Sequence, residues 1–354
     1  MIRFEIRPYR NGRFEDVTHI LKQGYQRQQA RIGGDIQASS SFEVGTLLEG
    51  ELWLERMLGY EFRERAGGYT TFYGQIDEVV VQMGGVIVRR SLDDVFNHVQ
   101  IRYQTSASAA IATTVAATDT ISKDRYGHRE LMFVPGVYMP ATGELLTIRD
   151  GLLATAKKPK AVTVGFGAGS GVKVQVRMRG ASELLRVQHI NDTSTANEGV
   201  SAAVTRAANA GTHISAGMVN TNNYNVSRSV EYAPIWNRIT HLATLTGDLY
   251  RVGCFGRPLV DYVKVGESVQ YEVDVLKENP VLLKDGRPAN PAFLKAGDMV
   301  WARDILWGRP VANPLVSDPR AILVESLVFD GENVRITGGG GEELMLAGLS
   351  LVYG

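Results

Sequence analysis

The chain has 354 residues, 38 Lys+Arg against 38 Asp+Glu for a formal net charge of 0, and a single cysteine, Cys254. A chain of this length fits two or three domains and buries roughly 75% of its unfolded surface when compact. The charge balance removes the electrostatic case for a nucleic-acid or anionic-membrane partner, and the lone cysteine, read as a small buried thiol, allows neither an internal disulfide nor a Cys-rich metal site.

Met1–Arg7 alternates apolar and charged residues, a strand pattern unlike a signal peptide, and no window approaches 18 uninterrupted apolar residues, so no transmembrane segment is expected. Ile2, Phe4 and Ile6 share one face of this first strand; Asn11-Gly12 supplies a turn, and Phe14–Ile20 is expected to return as the hairpin partner. Gln23–Ser41 is polar. Short strands are expected at Phe42–Val44, Leu52–Met57 and Tyr60–Arg63, then at Tyr69–Ile76 after Gly67-Gly68, with a hairpin tip at Gly84-Gly85 between Asp77–Met83 and Val86–Arg90. Val99, Ile101 and Tyr103 alternate with Gln100 and Arg102, a strand with one buried face. Six or seven closely spaced strands before Tyr103 point to a barrel or sandwich.

Ser106–Thr118, rich in Ala, Ser and Thr, reads as a linker or an exposed strand, followed by a turn at Tyr126-Gly127. Leu145, Leu146, Ile148, Leu152, Leu153 and Ala156 recur close to helical spacing, and Lys157-Lys158-Pro159 closes a helix over 143–157. The glycine loop Gly165–Gly171 leads into the alternating strand Val172–Met178, where a phosphate-binding loop needs a helix, so no nucleotide site is expected; Lys173, Arg177 and Arg179 read as its solvated face. Glu198–Ala210 and Pro234–Ala243 are helical patterns, the second with Pro234 at N1 and Ile235, Trp236, Ile239, Leu242 and Ala243 on one side. Asn220–Arg228 reads as a loop. β-structure returns at Asp261–Val265, Val269–Val275 and Met299–Ile305, with a turn at Asp285-Gly286 and a hairpin of Ala321–Phe329 and Asn333–Thr337 around Asp330-Gly331; Gly338–Gly341 reads as a hinge before an apolar tail. The fold class is mainly β with an α+β middle: β-barrel-like domains with a few short helices. It divides into a β-barrel-like domain at 1–105, a linker and α+β segment at 106–170, a mixed α/β middle at 171–250 and a β-rich end at 251–354.

Chemistry is sparse. His19, His98, His128, His189, His213 and His241 form no HxH or HxxxH pair, so each is read as structural or surface. Asp93-Asp94 and Glu342-Glu343 are adjacent carboxylates that diverge on a strand or a helix, and there is neither a GxSxG elbow nor a thiol-protease context around Cys254. Trp53, Trp236, Trp301 and Trp307 read as core before carbohydrate platforms. The expectation is a non-enzyme with no catalytic, cofactor-binding or metal residue and no cofactor. A cell-wall hydrolase with carboxylates gathered by the fold is the remaining catalytic alternative.

The chain resembles the baseplate-hub family of bacteriophage tails, the central trimeric hub and its tail-tip counterparts. The resemblance covers roughly residues 60–165. It is carried by Phe72-Tyr73-Gly74-Gln75-Ile76, by Asn97-His98-Val99-Gln100-Ile101-Arg102-Tyr103, by Asp119 and Ser122 leading to Tyr126-Gly127-His128-Arg129-Glu130, and by the Leu145–Pro159 helix. A looser resemblance to phage tail proteins lies in Val230–Trp236, Gly247–Tyr250, Gly297–Val300 and Asp318–Arg320, and the polar stretch Ser194–Arg228 departs from it. The resemblance implies a ring-forming structural protein, usually a homotrimer, whose two barrel-like domains per chain imitate a six-fold ring. Its partners would be the tail tube and distal tail proteins above, the tape-measure protein in the channel before DNA passes, and tail fibre or tip proteins, with no sequence-specific nucleic-acid contact. It implies the virion tail tip as location, after assembly in the host cytoplasm. Structural importance is expected at Gly74 and Gly127, as tight backbone positions, and at Tyr103, Tyr126 and Trp236, as buried anchors. The alternative is a tail-associated module gripping a host polysaccharide or a fibre through Asn220–Arg228 and exposed tryptophans.

Overall fold

The computed structural model of the chain describes residues 2–139, 142–167, 171–192, 197–227, 231–246, 250–265, 270–273, 281–283, 287, 289–302, 320–338, 343–346 and 351–353. β1 (Ile2–Arg7) buries Phe4 and Ile6. Its hairpin partner is shorter than Phe14–Ile20: of that segment only β2 (Glu15–Asp16) pairs with β1, whose longer partner is Glu61–Ala66, and Thr18–Leu21 winds into a helical turn, α1, that buries Leu21 and lets Thr18 Oγ1 accept from the Phe4 N–H at 2.9 Å.

The polar stretch Gln23–Ser41 forms β3 (Gln26–Ala30) and much of β4 (Ile32–Val44). Its buried polar side chains find most of their partners elsewhere in the chain. The wholly buried Arg27 donates to Glu64 Oε1 at 2.9 Å and to the carbonyls of Thr71 and Ala292 at 3.0 Å each, while Tyr25 donates to Glu64 Oε2 at 2.7 Å. A buried charge is tolerated when it is paired and hydrogen-bonded in this way. Leu52–Met57, expected as a strand, is helical: α2 (Leu47–Leu52) continues into one π turn over Trp53–Met57. The cause is local. Thr46 and Glu49 close a capping box, and the helix it starts turns Trp53 edge-on to Phe42, with ring centroids 4.8 Å apart.

β5 (Glu61–Ala66), β6 (Tyr69–Met83) and β7 (Val86–Ser91) are joined by the glycine turns read from the sequence. β6 is 15 residues long and pairs with β5 along its first half and β7 along its second, leaving its other edge to Val172–Gly180. β8 (His98–Tyr103) starts a separate small sheet. The Ser106–Thr118 stretch gives it two short antiparallel partners, β9 (Ala112–Thr113) and β10 (Ala117–Thr118), and β11 (Glu130–Phe133) runs parallel to it. α3 (Thr120–Tyr126), capped by Asp119, follows β10, and α4 (Thr142–Ala156) lies beside that sheet. On α4 Leu145 is buried, but Leu146 and Ile148 are exposed. β12 (Ala161–Phe166) pairs with β7, with a bulge between Thr163 and Gly165, and β13 (Val172–Gly180) inserts between β4 and β6, so the first sheet draws on residues well beyond 105.

The second unit contains α5 (Ala181–Leu184), β14 (His189–Asp192), β15 (Asn197–Gly199), α6 (Val200–Asn209), β16 (Ser215–Val219), β17 (Asn225–Ser227), β18 (Glu231–Pro234), α7 (Ile235–Thr244), β19 (Tyr250–Cys254) and β20 (Leu259–Lys264). Pro234 sits at the N-cap of α7, one place earlier than read. Trp236, Ile239 and Leu242 of α7 meet Ala203, Val204 and Ala207 of α6 over β19 and β20, with Cys254 buried among them. β21 (Gln270–Val273), β22 (Val281–Leu283), β23 (Met299–Ala302), β24 (Arg320–Phe329), β25 (Val334–Gly338), β26 (Glu343–Leu346) and β27 (Leu351–Tyr353) complete the chain; β24 pairs with β3, so Leu327 and Phe329 join Phe4, Phe62 and Phe72 in the first core. The molecule is mainly β, a curled sheet with a few short helices. The Asp285-Gly286 turn, Trp307, Gly247–Leu249, Asp318-Pro319 and Gly339–Gly341 lie outside the described residues, as does the side chain of Trp301. No helix among the described residues is long and apolar enough to cross a membrane.

The two cores meet at β4, which runs parallel to β19 over Ile32–Gly34 and Val252–Cys254. Gly34 has φ +64°, and a Cβ there would sit 2.4 Å from the Cys254 carbonyl oxygen, against backbone that cannot yield. Beside it Asp35 is wholly buried and accepts from the Gly256 N–H at 2.7 Å, the Tyr73 N–H at 3.4 Å and the Gln29 amide.

Gly34→Val is expected to lose more than about 3 kcal/mol in urea denaturation, and Gly331→Ala, where φ is +98° but the space is open, about 1–2 kcal/mol. Burial pushes the Asp35 carboxyl up to about 7, against the opposing pull of the Gly256 N–H and Arg27. The folded state therefore holds a proton that the unfolded chain releases near the ordinary carboxyl value of 3.8. That contribution is complete at low pH and disappears as pH rises through about 7. Stability is expected to fall by up to about 1.4 kcal/mol per pH unit across this window, and Asp35→Asn flattens that slope in denaturation curves taken at successive pH values.

Candidate functional site

Three of the five residues singled out from the sequence come together. Gly74, Tyr126 and Gly127 line a cavity of about 30 Å³ at the meeting of β6, the end of α3 and the second unit. Gly74 lies where β6 and β13 touch, and a Cβ there would be 2.3 Å from the Arg179 carbonyl oxygen. Gly127 has φ +81° and faces the Tyr9 ring, 3.1 Å from where a Cβ would stand. The turn is held by side chains: Asn97 Nδ2 donates to the Gly127 carbonyl at 2.7 Å, the Arg129 N–H donates to Asn97 Oδ1 at 3.0 Å, and the buried Arg129 guanidinium donates to the Val95 and Leu92 carbonyls. Tyr126 is buried, its carbonyl accepting from Gln75 Nε2 at 3.1 Å. Trp236 lies apart from this junction, in the second core. Tyr103 is half-buried rather than fully buried. It borders an open groove of about 600 Å³ with Ile111, Val134 and Tyr138, because β8 ends there at the rim of its small sheet.

Arg177 and Arg179 do not lie on a merely solvated face. Both turn onto Asp77, wholly buried, at 2.8 and 2.9 Å, and Arg179 also meets Asp93 at 2.5 Å. Burial of Asp93 opposes its ionisation, but the Ser91 hydroxyl and the two guanidinium groups outweigh that and hold its carboxyl below the ordinary value. Burial lowers Arg129 to about 10, which leaves it charged at neutral pH. The network ties β6 and β13 to the segment leading into β8.

A second polar cluster was not legible from spacing. In the parallel β8–β11 pair Glu130 stands opposite His98, and His128 lies two residues before Glu130. Each of the three offers a ligand atom, and these atoms lie within 4.8 Å of one another. His128 Nε2 is 2.6 Å from Glu130 Oε1, and the other carboxylate oxygen accepts from the His189 N–H at 2.8 Å and lies 3.2 Å from His189 Nδ1. Burial alone would raise the Glu130 pKa; the hydrogen bonds from His128 and His189 prevail and hold it at about 2. His98 is shifted down by burial and by His128. His128-x-Glu130 on an extended segment is the sequence signal for this grouping, since alternate residues share a face; the parallel partner that adds His98 is a property of the fold.

The surface has its own asymmetry. Eleven of the eighteen large hydrophobic side chains exposed among the described residues fall between Ile111 and Phe166. They include Leu146 and Ile148 on α4 and Val162, Val164 and Phe166 on β12, Phe166 being 84% exposed.

No family model matches the sequence, and no curated protein matches it. Among solved structures the chain is similar to a tail protein from Neisseria meningitidis MC58, at 9% identity and a TM-score of 0.44 over 98% of this chain and 96% of that one. It is also similar to the 43 kDa tail protein of prophage MuSo2 from Shewanella oneidensis, at 7% and 0.43 over 100% and 97%, and to prophage tail protein gp18 from Listeria monocytogenes EGD-e, at 7% and 0.40 over 93% and 90%.

Removing the carboxylate shared by two arginines is expected to be costly. Asp77→Asn should destabilise the protein by about 3 kcal/mol or more in chemical denaturation, whereas the exposed Asp94→Asn should stay within about 0.5 kcal/mol.

Proposed function

We propose that the chain is a structural hub protein of a bacteriophage tail tip or baseplate, forming a homotrimeric ring below the tail tube around the channel for the tape-measure protein and DNA. The observation that carries this reading is the concentration of exposed apolar side chains between Ile111 and Phe166. A monomeric soluble protein rarely leaves so much apolar surface in one region, and its presence marks a surface made for partners. The same region holds two of the segments through which the sequence resembles phage hubs, the turn at Gly127 and the helix closed by Pro159. β12, paired only with β7 among the described residues, offers a neighbouring copy both an edge and three apolar side chains. In this reading the units at 1–105, 106–170, 171–250 and 251–354 act together in the ring, with β13 and β24 lent to the first sheet. The tail tube, distal tail and tail fibre or tip proteins dock on its faces, and the role is structural, within the virion.

The test is assembly. Native mass spectrometry and negative-stain images are expected to give a closed ring of copies for the wild type, and Val164→Asp with Phe166→Asp to weaken self-association at least tenfold while leaving the circular-dichroism spectrum unchanged. A wild-type chain that stays monomeric and binds neither tube nor distal tail protein would overturn the reading.

A further inference from the structure

We propose that His98, His128 and Glu130 form a binding site for one divalent first-row transition-metal ion of the Zn²⁺ class, a clamp between the small β8–β11 sheet and the helical unit. Two imidazoles and a carboxylate suit such ions, and they do not suit Ca²⁺ or Mg²⁺, which take all-oxygen sets. The three donor atoms already lie within 4.8 Å of one another, and a tetrahedral zinc site needs them about 3.3 Å apart, a change that side-chain rotation alone can make.

The surroundings are built as metal sites are built. His98 Nδ1 is 2.8 Å from Thr118 Oγ1, which leaves Nε2 with its lone pair free to bind. Glu130 is oriented from behind by the His189 N–H and Nδ1 at its second oxygen, and His189 is itself stacked on Tyr232 with centroids 4.8 Å apart. His128 presents Nε2 to Glu130 Oε1 at 2.6 Å, a contact that an ion would replace by binding both atoms. Three protein ligands leave a fourth position for water or for a side chain of a docked partner. Through His189 at the start of β14 the ion would couple the small sheet to the second core.

The experiment is calorimetric titration of the full-length chain, stripped with chelator, with ZnCl₂ at pH 7, alongside visible spectra with Co²⁺. One ion per chain at micromolar affinity or tighter is expected, with Co²⁺ bands of low coordination number. His98→Ala and Glu130→Gln should each weaken binding at least tenfold with the circular-dichroism spectrum and oligomeric state unchanged, and His241→Ala should bind like the wild type. If Glu130→Gln fails to fold, His98→Gln carries the same comparison. Absence of saturable binding at one ion per chain, binding undiminished in the His98 variants, or equal competition by Mg²⁺ would overturn the proposal. Because oligomeric state is read separately, none of these outcomes is confused with failure of the ring reading.

Discussion

Everything in this molecule depends on two packed units sharing one strand. β4 carries the curled sheet on both edges and, over Ile32–Gly34, takes β19 of the helical unit as a parallel partner. Backbone meets backbone there at Gly34 and Gly253, with no layer of side chains to absorb error. The polar group set into this contact, Asp35, takes hydrogen bonds from β3, from β6 and from the loop after β19, so three segments distant in sequence converge on one carboxyl. Apolar cores of similar volume can be repacked in many ways, whereas a buried acceptor with several donors has one geometry. The seam thus fixes how the units sit, and the hydrophobic surfaces on either side supply the stability.

The same division of labour recurs in the first core. Phe4, Phe62 and Phe72 are wholly buried, each worth about 1.5–3 kcal/mol relative to exposure. Threaded through them is Arg27, whose guanidinium reaches Glu64, two backbone carbonyls and the face of Phe329 at 4.8 Å. Arg27 therefore joins β3, β5, β6, the Ala292 turn and β24. A chain that brings its last third back to pair with its first forty residues gains a register marker from such a contact.

The fold class and most hairpin tips are legible because they rest on local rules: alternation in β1 and β8, paired glycines at the tips, Pro234 near a helix start. What escaped was what depends on partners elsewhere in the chain. Gln23–Ser41 shows only its polarity in the sequence, because the groups that satisfy its buried residues, Glu64, Thr71 and Gly256 among them, lie far off in the chain. Leu52–Met57 alternates well enough to pass for a strand, and the Thr46–Glu49 box, which was there to be read, decides otherwise. The α4 pattern correctly marks a helix, yet Leu146 and Ile148 look outward, since periodicity reveals a face and not what covers it. Gly74, Tyr126 and Gly127 were found individually; that they line one cavity, and that His98 stands across from Glu130, required the parallel pairing of β8 with β11.

The bulge in β12 carries a consequence for how copies would join. Between Thr163 and Gly165 the ladder with β7 slips by one residue, so the outer row of amides and carbonyls is out of step with a regular strand. A straight edge accepts any extended chain and goes on accepting, which is the route to fibres. An interrupted edge presenting Phe166 instead demands a partner of matching shape, and an arrangement that demands matching shape can close on itself and stop.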